Sequence, residues 1–232
     1  MSNSYYLRGP SGVDRAMRII FGLILSLLFC SVEAQNIYSE YKWAERDEWQ
    51  QPEKIIDLLR VEEGSVVADI GCHQGYMTVK LSRVVGEKGK VLAVDIDTYQ
   101  LSRLRENLEK RKIENVEVIE GKTDDPLLGS ETCDAILILD TYHEIEDYKE
   151  VLAAAKRALR PYGRLVICDP IATANRGKDR SSQTRKHELS LKYARQEMEM
   201  AGFEIAFQQD PFIDRMDPKG DVLWAIVGVK GP

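Results

Sequence analysis

Four apolar runs in this chain each end at, or one residue from, an aspartate, and amphipathic segments separate them. VVADI (66–70) carries Asp69, VLAVDI (91–96) Asp95, DAILILD (134–140) Asp140 and RLVICD (164–169) Asp169. A fifth run, NVEVIEG (115–121), lacks the aspartate. Short apolar runs bounded by turn residues read as strands, and nearly unbroken ones as strands covered on both faces. Residues 76–85 read as a helix with Met77, Val79, Leu81 and Val84 for its inner face. Residues 98–112 put Leu101, Leu104 and Leu108 on one stripe, and a helix over 147–159 is stopped by Pro161 and Gly163. Such alternation means right-handed βαβ units and a parallel sheet, whose ligands sit beyond the carboxyl ends of the strands. Four acids then share the ligand rim, although a strand-end aspartate also commonly caps the next turn.

The flanks are organised differently. Pro52 suits the first position of a helix over 52–59. A basic connection covers 175–188, a helix then runs to Ala201, and FEIAFQQ (203–209) with DVLWAIVGV (221–229) reads as an antiparallel hairpin. Ahead of everything, Arg15 and Arg18 precede the uncharged run 19–32, and Val32-Glu33-Ala34 offers small residues at a cleavage site. That is the pattern of a secretory signal peptide, and the run is short for a membrane span. The expected division is therefore a signal peptide (1–34), an aromatic and charged arm or lid (35–51) and one domain (52–232). Export to the periplasm or medium follows, or, with the leader uncut, anchoring by 19–32. Any contact with a membrane would run through that leader.

With 232 residues there is material for one sizeable core, and a net charge of −6 argues against nucleic acid as a partner. Beyond the leader stand Cys72, Cys133 and Cys168, an odd number without close spacing. These and the three histidines, His73, His143 and His187, lack metal-ligand spacing, so no metal site is expected.

The loop after the first strand is Gly71-Cys72-His73-Gln74-Gly75. A dinucleotide pyrophosphate asks for G-x-G-x-x-G, and His73 stands where the middle glycine belongs. Asp69 would also face two phosphates. No Gly-Lys-Ser/Thr follows, which removes a Walker A loop. S-adenosylmethionine fits better. It has no phosphate, its ammonium and sulfonium welcome an acid at the first strand end, and its ribose diol welcomes another at the second. Asp95 lies 24 residues past Gly71, near the separation of about 20 at which an acid reaches a ribose.

VADIGCHQGYMT, AVDI, DAILILDTYHEI and LRPYGRLVICD together resemble the successive motifs of class I S-adenosylmethionine-dependent methyltransferases, and AGFEI…VLWAIVGVK resembles their last two strands. The resemblance covers about 49–230 and is closest to the group acting on small molecules. It implies a Rossmann-like seven-stranded sheet, mostly parallel with an antiparallel last strand, and helices on both faces. It implies S-adenosylmethionine as cofactor, held by Asp69, Gly71, Gly75 and Tyr76 at the methionine end and by Asp95 at the ribose. Ile96 would pack on adenine, and Asp140 with Thr141 would face the methyl group. The family often carries an acid just after the glycine that ends the third strand. Here Lys122 stands there, so the adenine amino group is left to the backbone or to Asp124.

Methyl transfer is an in-line displacement, and a base is needed only for a protonated acceptor. Asp140, Tyr142 and His143 are the catalytic candidates, with His143 the best base by its ordinary pKa. Tyr38, Tyr41, Trp43 and Trp49 read either as a lid over the donor or as docking residues of the arm. The basic run Arg176, Lys178, Arg180, Arg185 and Lys186 reads either as a site for an anionic acceptor or as a solvated loop. In the family's strand order, Cys72 and Cys168 lie two strands, about 10 Å, apart, so three free thiols are expected. The competing reading is an exported methyltransferase-like domain that binds an adenosyl ligand or a partner without turnover.

Overall fold

Each aspartate-ended run is a strand in the computed structural model, which describes residues 40–232. The apolar leader lies outside the described residues. In chain order the elements are α1 (Glu40–Gln50), α2 (Pro52–Leu59), β1 (Val66–Ile70), α3 (Tyr76–Val85), β2 (Lys90–Asp95), α4 (Thr98–Arg111), β3 (Val116–Glu120) and β4 (Cys133–Leu139). They continue as α5 (Tyr148–Ala158), β5 (Leu159–Ile171), α6 (Arg180–Thr184), α7 (Leu191–Met200), β6 (Glu204–Arg215) and β7 (Asp221–Val229). A 3₁₀ turn (Tyr142–Glu144) follows β4. Among the described residues no helix is long and apolar enough to cross a membrane.

The strands form one sheet in the order β3-β2-β1-β4-β5-β7-β6. The first five pair in parallel, and β7 runs antiparallel between β5 and β6. This is the seven-stranded, Rossmann-like arrangement expected. The chain leaves β1 toward β2 and β3 on one side and returns to β4 on the other. That reversal opens a crevice beyond the carboxyl ends of β1 and β4. Alternate side chains of the central strands feed opposite faces. Ile70, Val94, Ile136, Ile138, Ile167 and Trp224 pack with Leu152, Met198 and Phe203. Burial of this apolar surface, at roughly 25 cal/mol per Å², is the main force holding the helices on the sheet.

The carboxyl-terminal half departs from the pattern reading. β5 starts at Leu159, directly after α5, and runs through Pro161 and Gly163 to Ile171. β6 continues past Gln209 to Arg215, because a register shift between Gln209 and Ile213 absorbs Pro211. Residues 175–188 hold structure of their own. Asp179 caps α6 by accepting from the Ser182 amide, and buried Gln183 donates to the carbonyls of Asn175, Arg176 and Lys178 while accepting from Ser190. Cys72, Cys133 and Cys168 are unpaired and buried, as the strand order predicts.

Candidate active site

The first loop is built to spend its own amides. Gly71 and Cys72 both donate to the Val94 carbonyl (2.8 and 3.1 Å), His73 donates to Asp95 Oδ2 (2.8 Å) and Gly75 to the Cys72 carbonyl (2.9 Å). At the head of α3, Thr78 donates to Asp69 through its hydroxyl, at 2.6 Å, and its amide. A pyrophosphate needs free amides at a helix N-terminus. Here the amides of Gly71, Cys72, His73, Gly75 and Thr78 are engaged, and a carboxylate already occupies the positive end of the helix.

The two glycines are required by space and backbone. Gly71 has φ +77°, and a Cβ there would lie 2.3 Å from Thr141 Cγ2. Gly75 has φ +92°, and a Cβ would meet Leu104 Cδ1 at 2.3 Å. Both values lie where L-residues are strained. The loop therefore passes close against Thr141, just beyond β4.

Asp69 is 3% exposed, and burial, only partly offset by Thr78, pushes its carboxyl up to about 6. Asp95 takes one amide on each oxygen, His73 on Oδ2 and Asp97 on Oδ1 (3.0 Å), so its carboxylate is fixed in direction with lone pairs to spare. Ile96 is 57% exposed beside it, available to a planar ring. Asp124 is exposed in the turn after β3, on the Lys122-bearing segment. Tyr76 lies at the start of α3, its hydroxyl donating to Asp47 Oδ1 (2.5 Å), which with burial raises the phenol's pKa.

Asp140 is not free to act as a base. Arg215 Nη1 donates to both its oxygens (2.8 and 3.0 Å), and Arg46 Nη2 lies 3.4 Å from Oδ2. Two guanidinium groups make it a positioning acid. Tyr142 is the clearer correction. It is fully buried and its hydroxyl donates to Glu197 Oε2 (2.7 Å), so it faces the core under α7 and not the crevice.

His143 is held from behind by Asp169. The carboxylate accepts the His143 amide (3.0 Å) and sits 3.0 and 3.1 Å from Nδ1. In the neutral ring a hydrogen on Nδ1 serves Asp169, and in the charged ring Nε2 also carries one, toward the Glu144 carboxylate. Burial works against the charged ring, but the Asp169 hydrogen bond and charge outweigh it, and the His143 pKa is raised. Nε2 faces Glu144 Oε1 at 3.2 Å, which in turn meets His187 Nδ1 at 2.5 Å. The sequence spacing of the histidines conceals this cluster.

Arg46 and Arg215 are site residues that pattern reading passed over. Arg46 comes from α1, lies over the Tyr76 ring at 4.0 Å, and its buried Nε has no hydrogen-bond partner among the described residues. Arg215 comes from β6, 75 residues from Asp140. Of the aromatic arm, Trp43 is buried edge-on against Tyr76 (5.9 Å), and Trp49 lies under Arg46, Arg215 and Lys219 at 5.7, 5.9 and 5.1 Å. These two rings dock the helix, and the Trp49 face is engaged by protein cations. Tyr38 lies outside the described residues, as does the Tyr41 side chain. The basic run is largely paired locally. Arg176 is bidentate to Asp210, Arg180 meets Glu197 (2.6 Å), Lys178 meets Asn175 Oδ1 (2.6 Å) and Arg185 meets Ser181 and Ser182.

Comparison with known proteins bears on this geometry. Residues 61–188 match the family model of a methyltransferase domain. A probable cobalt-precorrin-6B C(15)-methyltransferase (decarboxylating) of Sulfurisphaera tokodaii is 39% identical over 114 residues, 48% of this chain and 57% of that protein. A ubiquinone/menaquinone biosynthesis C-methyltransferase of Klebsiella pneumoniae is 33% identical over 115 residues, 49% of this chain and 46% of that protein. The chain thus spans about half the length of the curated relatives it matches. The crystal structure of a SAM dependent methyltransferase from Aquifex aeolicus superposes with a TM-score of 0.68 at 25% identity, over 83% of this chain and 98% of that one.

Proposed function

The chain belongs to the methyltransferase-domain family, and on that premise we propose that it transfers the methyl group of S-adenosylmethionine to a small-molecule acceptor. The observation that carries the cofactor is the first loop. Four of its five amides, those of Gly71, Cys72, His73 and Gly75, are bonded internally and Asp69 sits at the head of α3, so the crevice suits a cationic, phosphate-free nucleoside. The buried Arg46 Nε without a partner is a second mark of fit, a donor placed to receive the methionine carboxylate.

Bound there, the sulfonium supplies an activated methyl carbon. Asp69 provides negative charge near the amino group, Asp95 accepts from the ribose hydroxyls, and Ile96 covers one face of adenine. Gly71 and Gly75 let the loop pack against Thr141 and Leu104, which fixes its path beside the ligand. Asp140, braced by Arg215, fixes the floor between donor and acceptor. In its neutral form, with Nδ1–H on Asp169, His143 takes at Nε2 the proton of a hydroxyl, thiol or amine acceptor that displaces Glu144 from it. A small molecule is favoured as acceptor because the named relatives act on precorrin and quinone-pathway molecules. An anionic acceptor has little support, since the basic residues of 176–185 already have partners.

Calorimetric titration with S-adenosylmethionine, S-adenosylhomocysteine and NAD tests the reading. Both adenosyl ligands should bind and NAD should not, and Asp95→Ala should lower their affinity at least tenfold. Absence of adenosyl binding, or preference for NAD, would end the proposal.

A further inference from the structure

We propose that His143, Glu144 and His187 form a binding site for a divalent zinc-like ion at the acceptor side of the crevice. One ring nitrogen from each histidine and one carboxylate oxygen lie within 4.8 Å of one another. Zinc bonds of about 2.0–2.1 Å in a tetrahedral shell place ligand atoms roughly 3.3 Å apart. His143 Nε2 and Glu144 Oε1 already stand at 3.2 Å. His187 Nδ1 is closer to Glu144 Oε1, at 2.5 Å, and must open slightly to admit an ion. Its side chain is 74% exposed, so nothing packed resists that movement.

The support behind the cluster is the second observation. Metal-binding histidines characteristically donate their other ring N–H to a carboxylate, which fixes the tautomer and the ring plane. Asp169 does this for His143. It is fully buried, receives both Nδ1 and the backbone amide of His143, and leaves Nε2, which faces Glu144, as the ligand atom. His187 is placed by its own loop. Its amide donates to the Thr184 carbonyl, and neighbouring Glu188 is tied to Ala172 and Asn175. Two histidines and one glutamate leave a fourth position open, the pattern of zinc sites that act on a ligand. An ion there would hold an acceptor's oxygen or sulfur and release its proton to solvent at this rim. His143 Nε2 would then be a ligand and not the base.

The site would replace the base role proposed for His143 but does not depend on the methyltransferase reading, because its test reads metal and not turnover. The full, untagged chain is stripped with chelator and titrated with cobalt(II), followed by visible absorption, and zinc is then added in competition. One equivalent of cobalt should bind with ligand-field bands that zinc abolishes. His187→Ala and Glu144→Gln alter exposed side chains, so folding should survive, and each should weaken binding at least tenfold. Asp169→Asn should weaken it about 10–100-fold. No saturable cobalt binding, or binding unchanged in either His187→Ala or Glu144→Gln, would overturn the site.

Discussion

Asp69 shows what one buried acid costs and why it is retained. Its carboxyl titrates at about 6 in the folded chain against 3.8 unfolded, chiefly because burial penalises the charge. The folded state therefore holds the extra proton between those values, and its stability falls as pH rises from about 4 to 6. Asp69→Asn removes the desolvated charge and should raise stability at pH 7 by about 2 kcal/mol, read from urea unfolding. The stability difference between Asn variant and parent should shrink as pH drops from 7 to 4. The same variant should bind S-adenosylmethionine more weakly, since the charge facing its ammonium is gone. Gly71→Ala acts through shape. With φ +77° and Thr141 2.3 Å from the new methyl, the loop should shift, lowering stability by about 1–3 kcal/mol and adenosyl affinity with it. A chain that melts and binds as the parent does would refute that account of the glycine.

Among elements, β6 and α1 are coupled through the floor of the crevice. Arg215 at the end of β6 meets Asp140, Asp221 (2.8 Å) and Gln50 Oε1 (3.1 Å). Asp47 on α1 takes the Tyr76 hydroxyl and Lys80 Nζ (2.7 Å). Removing Arg215 leaves two partly buried carboxylates without their main partner. Arg215→Ala should lose about 2–3 kcal/mol, the partial exposure of both acids holding the loss below that of a fully buried pair. Hydrogen exchange at 43–50 should rise in that variant. Exchange unchanged there would mean α1 is held by Trp43, Arg46 and Asp47 without Arg215. The Pro211 that ends β6 in a pattern reading is what hid this connection. A bulge accommodates the proline, and the strand goes on to deliver Arg215.

For the whole molecule, the three described thiols report on packing. Burial raises the pKa of each, and each is covered by the sheet and its helices. Iodoacetamide with peptide mapping should leave Cys72, Cys133 and Cys168 unmodified in the native chain and label all three in urea, with no shift in melting temperature on adding reductant. Labelling of any of them without denaturant would show local opening of that strand end.

The sequence by itself determined the parallel sheet, its strand-end aspartates at 69, 95 and 140 and the first loop, because strand and helix periods, a glycine turn and a strand-end acid are local patterns over a few residues; Asp169 instead lies buried within β5. It also placed Asp69, Gly71, Gly75 and Asp95 as a set, since a βαβ unit fixes their relative positions almost unaided. Tertiary structure decided the rest. Tyr142 turned to Glu197 under α7 while its buried neighbour His143 turned to Asp169 and Glu144. Asp140 was captured by Arg46 and Arg215, and His187 came to Glu144 across 43 residues. These outcomes depend on long-range packing, where side chains far apart in sequence compete for one space and one charge, and no local pattern encodes which of them meet.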